Sequence, residues 1–265
     1  MSTTPIPPAK SYAESGVVIA GGTSGIGLAS AHDFAAAGVP RIALLARTEA
    51  RGIAAAEAVT AAHPGTEVTF VRVDAMDPVD TERAIAEAHA AVGTIDVLVS
   101  SVTSVYKPDL LHRTAIEDVA AILNAQALPP LHLTRAALPI MRGQRGGSII
   151  NIASDAAKTA TPGESVLGAA MAAIVMFTRT VAIEGKRDGI RANAVTPSLV
   201  AGTPTAEMVL KDGFSAKLFE KAAAMASLGV AEPEDLAALI VFLGGPGASR
   251  LTGQAISVNG GISAA

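Results

Sequence analysis

The chain has 265 residues, 50% of them hydrophobic and 17% charged, with a formal net charge of −4. That is enough apolar material for one large α/β domain, and the absence of a basic run speaks against nucleic acid and anionic membranes as partners. There is no cysteine, which excludes disulfides and thiolate-held metals, and the five histidines (His32, His63, His89, His112, His132) show no metal-ligand spacing.

No apolar run approaches ~20 residues, so no membrane span is expected. Residues 1–14 begin Pro-rich and lack an apolar signal region. They read as a flexible tail ahead of a single domain over 15–265, in a cytoplasmic protein. Val17 to Ala20 is a short apolar run, closed by the spaced glycines Gly21, Gly25 and Gly27 and followed by an Ala-rich periodic segment, Leu28 to Ala37. Strand, tight turn and helix follow from that pattern. Glycine lets backbone approach a pyrophosphate closely, and a helix N-terminus offers N–H groups and a positive dipole to phosphates. Gly21, Thr23, Ser24, Gly25, Ile26 and Gly27 are therefore the candidate cradle. A turn that only needs positive φ would show the same glycines; their place between strand and helix favours the cradle.

A second buried strand, Arg41 to Ala46, is followed at once by Arg47, and a helix then runs to about Ala62, ended by His63-Pro64-Gly65. Val68 to Val73 is a third strand, closed by Asp74 and Ala75. Asp77-Pro78 opens a helix to about Val92, and Ile95 to Val99 is the fourth strand, leading to Ser100. Helical pattern returns from Thr114 to about Met141, with an interruption expected at Pro129-Pro130. Ser148 to Ala153 is the fifth strand, leading to Ser154; Val166 to Glu184 is a long amphipathic helix; Ile190 to Val195 is the sixth strand, approaching Pro197. Thr205 to Ser227 reads as a helical insertion, Pro233 to Leu243 as a helix and Ala255 to Val258 as a last strand. Alternating elements with continuous apolar strands predict a doubly wound parallel sheet covered on both faces. A ligand belongs beyond the carboxyl ends of its strands, where the strand order reverses.

From Val17 to Gly261 the chain resembles the short-chain dehydrogenase/reductase family. The glycine turn matches that family's T-G-x-x-x-G-x-G, with Ala20 in place of Thr, and Asp74 matches its adenine-contacting Asp. Asn193-Ala194-Val195-Thr196-Pro197-Ser198 resembles its N-x-x-x-P-G. Leu251-Thr252-Gly253-Gln254 and Val258-Asn259-Gly260-Gly261 resemble its closing motifs. The resemblance implies a seven-stranded Rossmann-type sheet in the order 3-2-1-4-5-6-7. It also implies a homodimer or homotetramer formed through the two long helices around Leu131 and Val175. It places Ser100, Ala75, Pro197 and Thr203 among the cofactor contacts, Thr203 toward the carboxamide. Members that bind NAD hold the ribose 2′-OH with an acid at the end of strand two. Ala46 stands there, followed by Arg47, whose guanidinium can pair with a 2′-phosphate, so NADP(H) is favoured over NAD(H). Arg47 as a plain solvated charge is the alternative.

The family's chemistry needs a Ser, a Tyr, a Lys and an Asn. Ser154 matches the Ser. Thirteen residues on, Leu167 occupies the Tyr position; four further, Met171 occupies the Lys position; Gln126 aligns with the Asn. Leu and Met have no titratable proton, so ordinary ketone reduction is expected to be slow. Tyr106, beyond the fourth strand, is a replacement donor or simply a half-buried loop aromatic. Asp155 and Glu164 flank the site as carboxylates with no assigned role. The expected function is NADP-dependent hydride transfer to or from a small hydrophobic carbonyl, imine or enone. The segment 199–228, with Met208, Leu210, Phe214, Leu218, Phe219 and Met225, is its apolar lid. The alternatives are a non-catalytic NADP-binding sensor or partner subunit, and a cofactor-independent isomerase or lyase.

Overall fold

Seven parallel strands lie in the order β3-β2-β1-β4-β5-β6-β7, the order expected. In the computed structural model, which describes residues 9–104 and 106–264, they are β1 (Gly16–Ala20), β2 (Arg41–Ala46), β3 (Glu67–Arg72), β4 (Val97–Ser100), β5 (Gly147–Ile152), β6 (Ile190–Pro197) and β7 (Ala255–Val258). The helices between them are α1 (Gly25–Ala36), α2 (Glu49–Ala62), α3 (Pro78–Val92), α4 (Asp118–Gln144), α5 (Ser165–Gly185), α6 (Pro204–Leu210), α7 (Gly213–Met225) and α8 (Pro233–Gly244).

The apolar runs become strands because both faces of the sheet are covered. The two-residue period divides β1 between two cores. Val17 and Ile19 pack with Phe34 of α1 and Leu236, Ile240 and Leu243 of α8. Val18 and Ala20 pack with Leu133, Ala137 and Met141 of α4 and Val181 of α5. β1 pairs on one side with β2 and on the other with β4, where Ala20 faces Ser100. The chain therefore departs in opposite directions from β1 and β4, and a crevice opens above their carboxyl ends.

Three local expectations are corrected. Pro129 and Pro130 do not interrupt α4, which runs from Asp118 to Gln144 with both rings buried. Burial of the apolar face against α3 and α5 holds the helix through them. The carbonyls of Ala125 and Gln126 lose their donors four residues on. The insertion is two helices, α6 and α7, broken at Lys211-Asp212 where Gly213 takes φ +77°. α5 with the turn after it (Ser165–Asp188) is, by length and composition, apolar enough to cross a membrane, contrary to the expectation that no run approaches that length. Its inner face packs on α4 and β6, as a core helix does.

Residues 1–8 of the expected tail lie outside the described residues. Tyr12–Glu14 form a 3-10 turn, the Tyr12 hydroxyl donates to the Val241 carbonyl at 3.0 Å, and Lys10 pairs with Asp96 at 2.9 Å. The Tyr12 ring thereby closes the end of α8. Replacing Tyr12 with Ala is expected to cost about 2 kcal/mol through the lost ring packing and hydrogen bond. The urea midpoint reads this, and an unchanged midpoint would show that the segment is undocked in solution.

Candidate functional site

At the end of β1 the backbone turns so tightly that side chains are excluded. Gly21 has φ +76°, and a Cβ there would lie 2.3 Å from the Ser101 carbonyl oxygen. A Cβ on Gly27 would lie 2.3 Å from the Gly21 carbonyl oxygen, which is how α1 sits so close to the strand it follows. Gly25, at φ +49°, faces the Thr203 methyl across 3.2 Å from its missing Cβ. Ser24 is the N-cap of α1, yet its side chain makes no capping bond. The first N–H groups of α1 thus open on the crevice, with Thr23, Ser24 and Ile26 half-buried around them. This arrangement fits a pyrophosphate, because backbone rather than side chain lines the approach.

The other residues expected to contact a cofactor lie as follows. Arg47 is exposed at the tip of β2, next to the tip of β3, where Val73 N–H donates to the Ala46 carbonyl at 2.9 Å. Asp74 is exposed, and its position is set by neighbours. Its N–H donates to Asp80 at 2.7 Å, and its carboxylate accepts from Met76 N–H at 3.1 Å. That backbone donor, followed by Arg83, holds the Asp80 carboxyl below its ordinary pKa. Ala75 is buried, its carbonyl 3.0 Å from His132 Nδ1. Ser100 is 1% exposed, and its Oγ has no hydrogen-bond partner among the described residues. Pro197 ends β6 opposite Val258. Thr203 lies beside Gly25, and its hydroxyl donates to the Val200 carbonyl (2.9 Å) and accepts from Ala206 N–H (3.1 Å) as the cap of α6. Little capacity is left on it for a carboxamide.

The second half of the crevice lies over β5. Ser154 follows that strand and opens a 3-10 turn, Asp155–Ala157, with its Oγ accepting from Ala156 N–H at 3.2 Å. Among the described residues no acceptor takes its own hydroxyl proton, which leaves that proton available for donation. Leu167 and Met171 pack with Ala153, Ile174 and Ala194 in one apolar cluster at the ends of β5 and β6. Gln126 is 6% exposed and reaches the Ser104 carbonyl at 3.4 Å, which ties α4 to the loop after β4. The next residue of that loop, Val105, lies outside the described residues. Tyr106 is half-buried and donates to the Gly163 carbonyl at 3.4 Å. Burial, then the nearby Glu164, raises its pKa above the ordinary phenol value.

The lid differs from expectation in what it offers. Met208 and Phe219 pack with Leu199, Ala206 and Val209 inside the lid, while Leu210 and Met225 face outward. Phe214 packs on the loop ahead of α5, where a Cβ on Gly163 would lie 2.5 Å from its ring. An ion pair between Lys107 and Asp212 ties the loop after β4 to the lid. The sequence carried no signal for these contacts, which join segments more than 50 residues apart.

Two buried carboxyls complete the site. Asp155 is 5% exposed and shares Ser257 Oγ, at 3.4 Å, with Lys158 Nζ, at 2.6 Å. Glu164 is 7% exposed. Burial pushes its pKa up to about 7, opposed by a Thr161 hydrogen bond and assisted by the Asp155 charge. Its spacing of three and seven residues ahead of Leu167 and Met171 is the sequence sign that it shares their helix face.

A family model described as enoyl-(acyl carrier protein) reductase matches residues 20–263. An uncharacterized oxidoreductase of Mycobacterium tuberculosis is 33% identical over 246 residues, covering 92% of this chain and 90% of its own. Among solved structures, levodione reductase superposes with a TM-score of 0.86 at 25% identity, covering 94% of this chain and 97% of that one. L-sorbose reductase from Gluconobacter frateurii, solved with NADPH and L-sorbose, gives a TM-score of 0.82 at 32% identity, covering 94% and 96%.

Burial of Glu164 has a consequence for stability. Its folded pKa lies above the ordinary value of 4.5. Between the two, the folded state holds the proton that the unfolded state has lost, so stability falls as pH rises. The loss amounts to roughly 3 kcal/mol and is complete above about pH 7. Urea unfolding of Glu164→Gln against wild type is expected to favour the variant increasingly from pH 5 to pH 8. A difference independent of pH would mean that the carboxyl ionises normally.

Proposed function

The chain belongs to the short-chain dehydrogenase/reductase family, and from that premise we propose that it is an NADP(H)-dependent oxidoreductase whose proton handling departs from the family's. The observation that carries the cofactor part is the fit of Gly21 and Gly27, whose missing Cβ atoms leave the approach to the N-terminus of α1 lined by backbone. Thr23, Ser24, Gly25 and Ile26 would complete the pyrophosphate cradle, with Asp74 and Ala75 at the adenine and Ser100 and Pro197 along the far half. Arg47 would take the 2′-phosphate, with Ala46 presenting no carboxylate to repel it. When bound, the dinucleotide supplies a hydride at its nicotinamide ring.

The chain's own groups do the rest. Ser154 hydrogen-bonds the substrate oxygen and orients it. Leu167 and Met171, at the family's Tyr and Lys positions, give the inner wall of the chamber an apolar surface with no proton to exchange. Phe214 roofs it and excludes water. The substrates that suit such a chamber are small hydrophobic carbonyls, cationic imines and polarised C=C bonds. The reading includes a cytoplasmic homodimer or homotetramer through α4 and α5. Met176 and Ile183, seven residues apart on the outer face of α5, are 59% and 62% exposed there.

The absence of a titratable side chain at residues 167 and 171 supports a second reading, a non-catalytic NADP-binding sensor or partner subunit. A cofactor-independent isomerase or lyase is disfavoured by a phosphate cradle that such an enzyme would not use. Oxidation of NADPH against a panel of ketones, enones and imines decides between them. Turnover of at least one class is expected, and a complete lack of turnover with NADPH bound would leave the sensor reading. Arg47→Asp is expected to weaken NADPH binding at least tenfold while leaving NADH binding unchanged or improved, read by nucleotide fluorescence. Equal losses for both nucleotides would contradict the assignment of Arg47.

A further inference from the structure

We propose that the buried Glu164 carboxyl, next in the chain to Gly163, on which both the Phe214 ring and the Tyr106 hydroxyl rest, is the proton-donating group of this site. The proposal rests on the oxidoreductase reading above and supplies the donor which that reading lacks.

Placement is the first argument. Glu164 immediately precedes α5 and lies one turn ahead of Leu167 on the helix face that carries Leu167 and Met171 to Ala153 and the end of β5. The second is that it has no visible structural task. It stands at the N-cap position of α5, yet its side chain makes no capping bond, and among the described residues no cation pairs with it. A carboxyl that is 7% exposed without either partner is costly to ionise.

The third argument is the surroundings, taken element by element. From the loop after β4 comes Tyr106, bonded to the carbonyl of the adjacent Gly163, with Asp109 acting on that phenol. The same loop's cation, Lys107, is engaged by Asp212 of the lid. From the 3-10 turn after β5 comes Asp155, whose charge opposes ionisation of Glu164, and from the preceding loop comes the Thr161 hydroxyl. The lid contributes an apolar ring, Phe214, packed on Gly163. Burial and the Asp155 charge favour the protonated form over the opposing Thr161 hydrogen bond, and a pKa near 7 suits a group that must both give and regain a proton in neutral solution.

The assigned step is a proton transfer alone. The carboxyl O–H bond of Glu164 breaks, an O–H bond forms on the substrate oxygen, and the carboxylate regains its proton from water. The electron pair that balances the reduction is the hydride named above. Tyr106 is the positioning residue, holding the loop against Gly163. A neutral aldehyde or ketone is thereby favoured among the proposed substrates, because a cationic imine needs no donor.

The test uses the full-length protein with Glu164→Gln and Glu164→Asp. NADPH oxidation with the ketone panel is expected to fall off above about pH 7 in the wild type. Glu164→Gln is expected to lower kcat at least 10²-fold at neutral pH and to abolish the break, with NADPH affinity unchanged and partial recovery in Glu164→Asp. A Gln variant that keeps both rate and pH break overturns the proposal and leaves the oxidoreductase reading intact. If the wild type binds NADPH but reduces nothing, that reading falls, and carbon-13 NMR of side-chain-labelled glutamate decides alone. A resonance that titrates near neutrality and is missing from Glu164→Gln upholds the proton-holding assignment. A Glu164 carboxyl ionised from pH 5 upward overturns it.

Discussion

The contact on which the rest of the structure depends is backbone against backbone at the top of β1. Gly27 sits where a Cβ would collide with the Gly21 carbonyl, and Gly21 where a Cβ would collide with the Ser101 carbonyl. Those two approaches pull the N-terminus of α1 and the tip of β4 onto the same turn. The crevice between diverging chains thereby becomes a surface made of N–H groups. Thr203 closes it from the lid side against Gly25. A single methyl group at either position would cost packing that no flexible side chain could relieve.

The two halves of the crevice have opposite characters. Around Gly21 to Gly27 the polar backbone is exposed to whatever enters, with Arg47 and Asp74 at its outer rim. Over β5 the wall is hydrocarbon, made by Leu167 and Met171 on Ala153 and Ala194, and the polar groups that survive there are buried. Low polarity in that half is what keeps Glu164 from ionising at its ordinary pKa. The apolar wall and the raised carboxyl are thus one physical arrangement seen from two sides. The lid contributes to it through Phe214 and the Lys107–Asp212 pair, while its remaining apolar residues serve its own packing.

Much of this was legible in the residues, for stated reasons. Continuous apolar runs mark strands covered on both faces, so the strands from β1 to β7 were found within two residues of their ends, and Asp77-Pro78 marked the start of α3 by its capping chemistry. The failures share a cause. Pro129 and Pro130 read as a break because local backbone chemistry says so, whereas tertiary burial decided otherwise. The helical insertion read as one piece because the turn at Gly213 depends on a single positive φ. The Thr203 hydroxyl is engaged by the cap of α6, which spacing alone does not reveal. The burial of Glu164 required knowledge of what the loop at Tyr106 and the lid at Phe214 bring to it.

The central claim is that backbone geometry at β1 and α1 makes this chain a dinucleotide binder in spite of the hydrocarbon at residues 167 and 171. Calorimetric titration of NADPH into the unmodified chain tests it most directly. The account predicts one site per chain with a dissociation constant near or below micromolar, about −8 kcal/mol. An absence of binding heat at millimolar NADPH, at two temperatures, would contradict it.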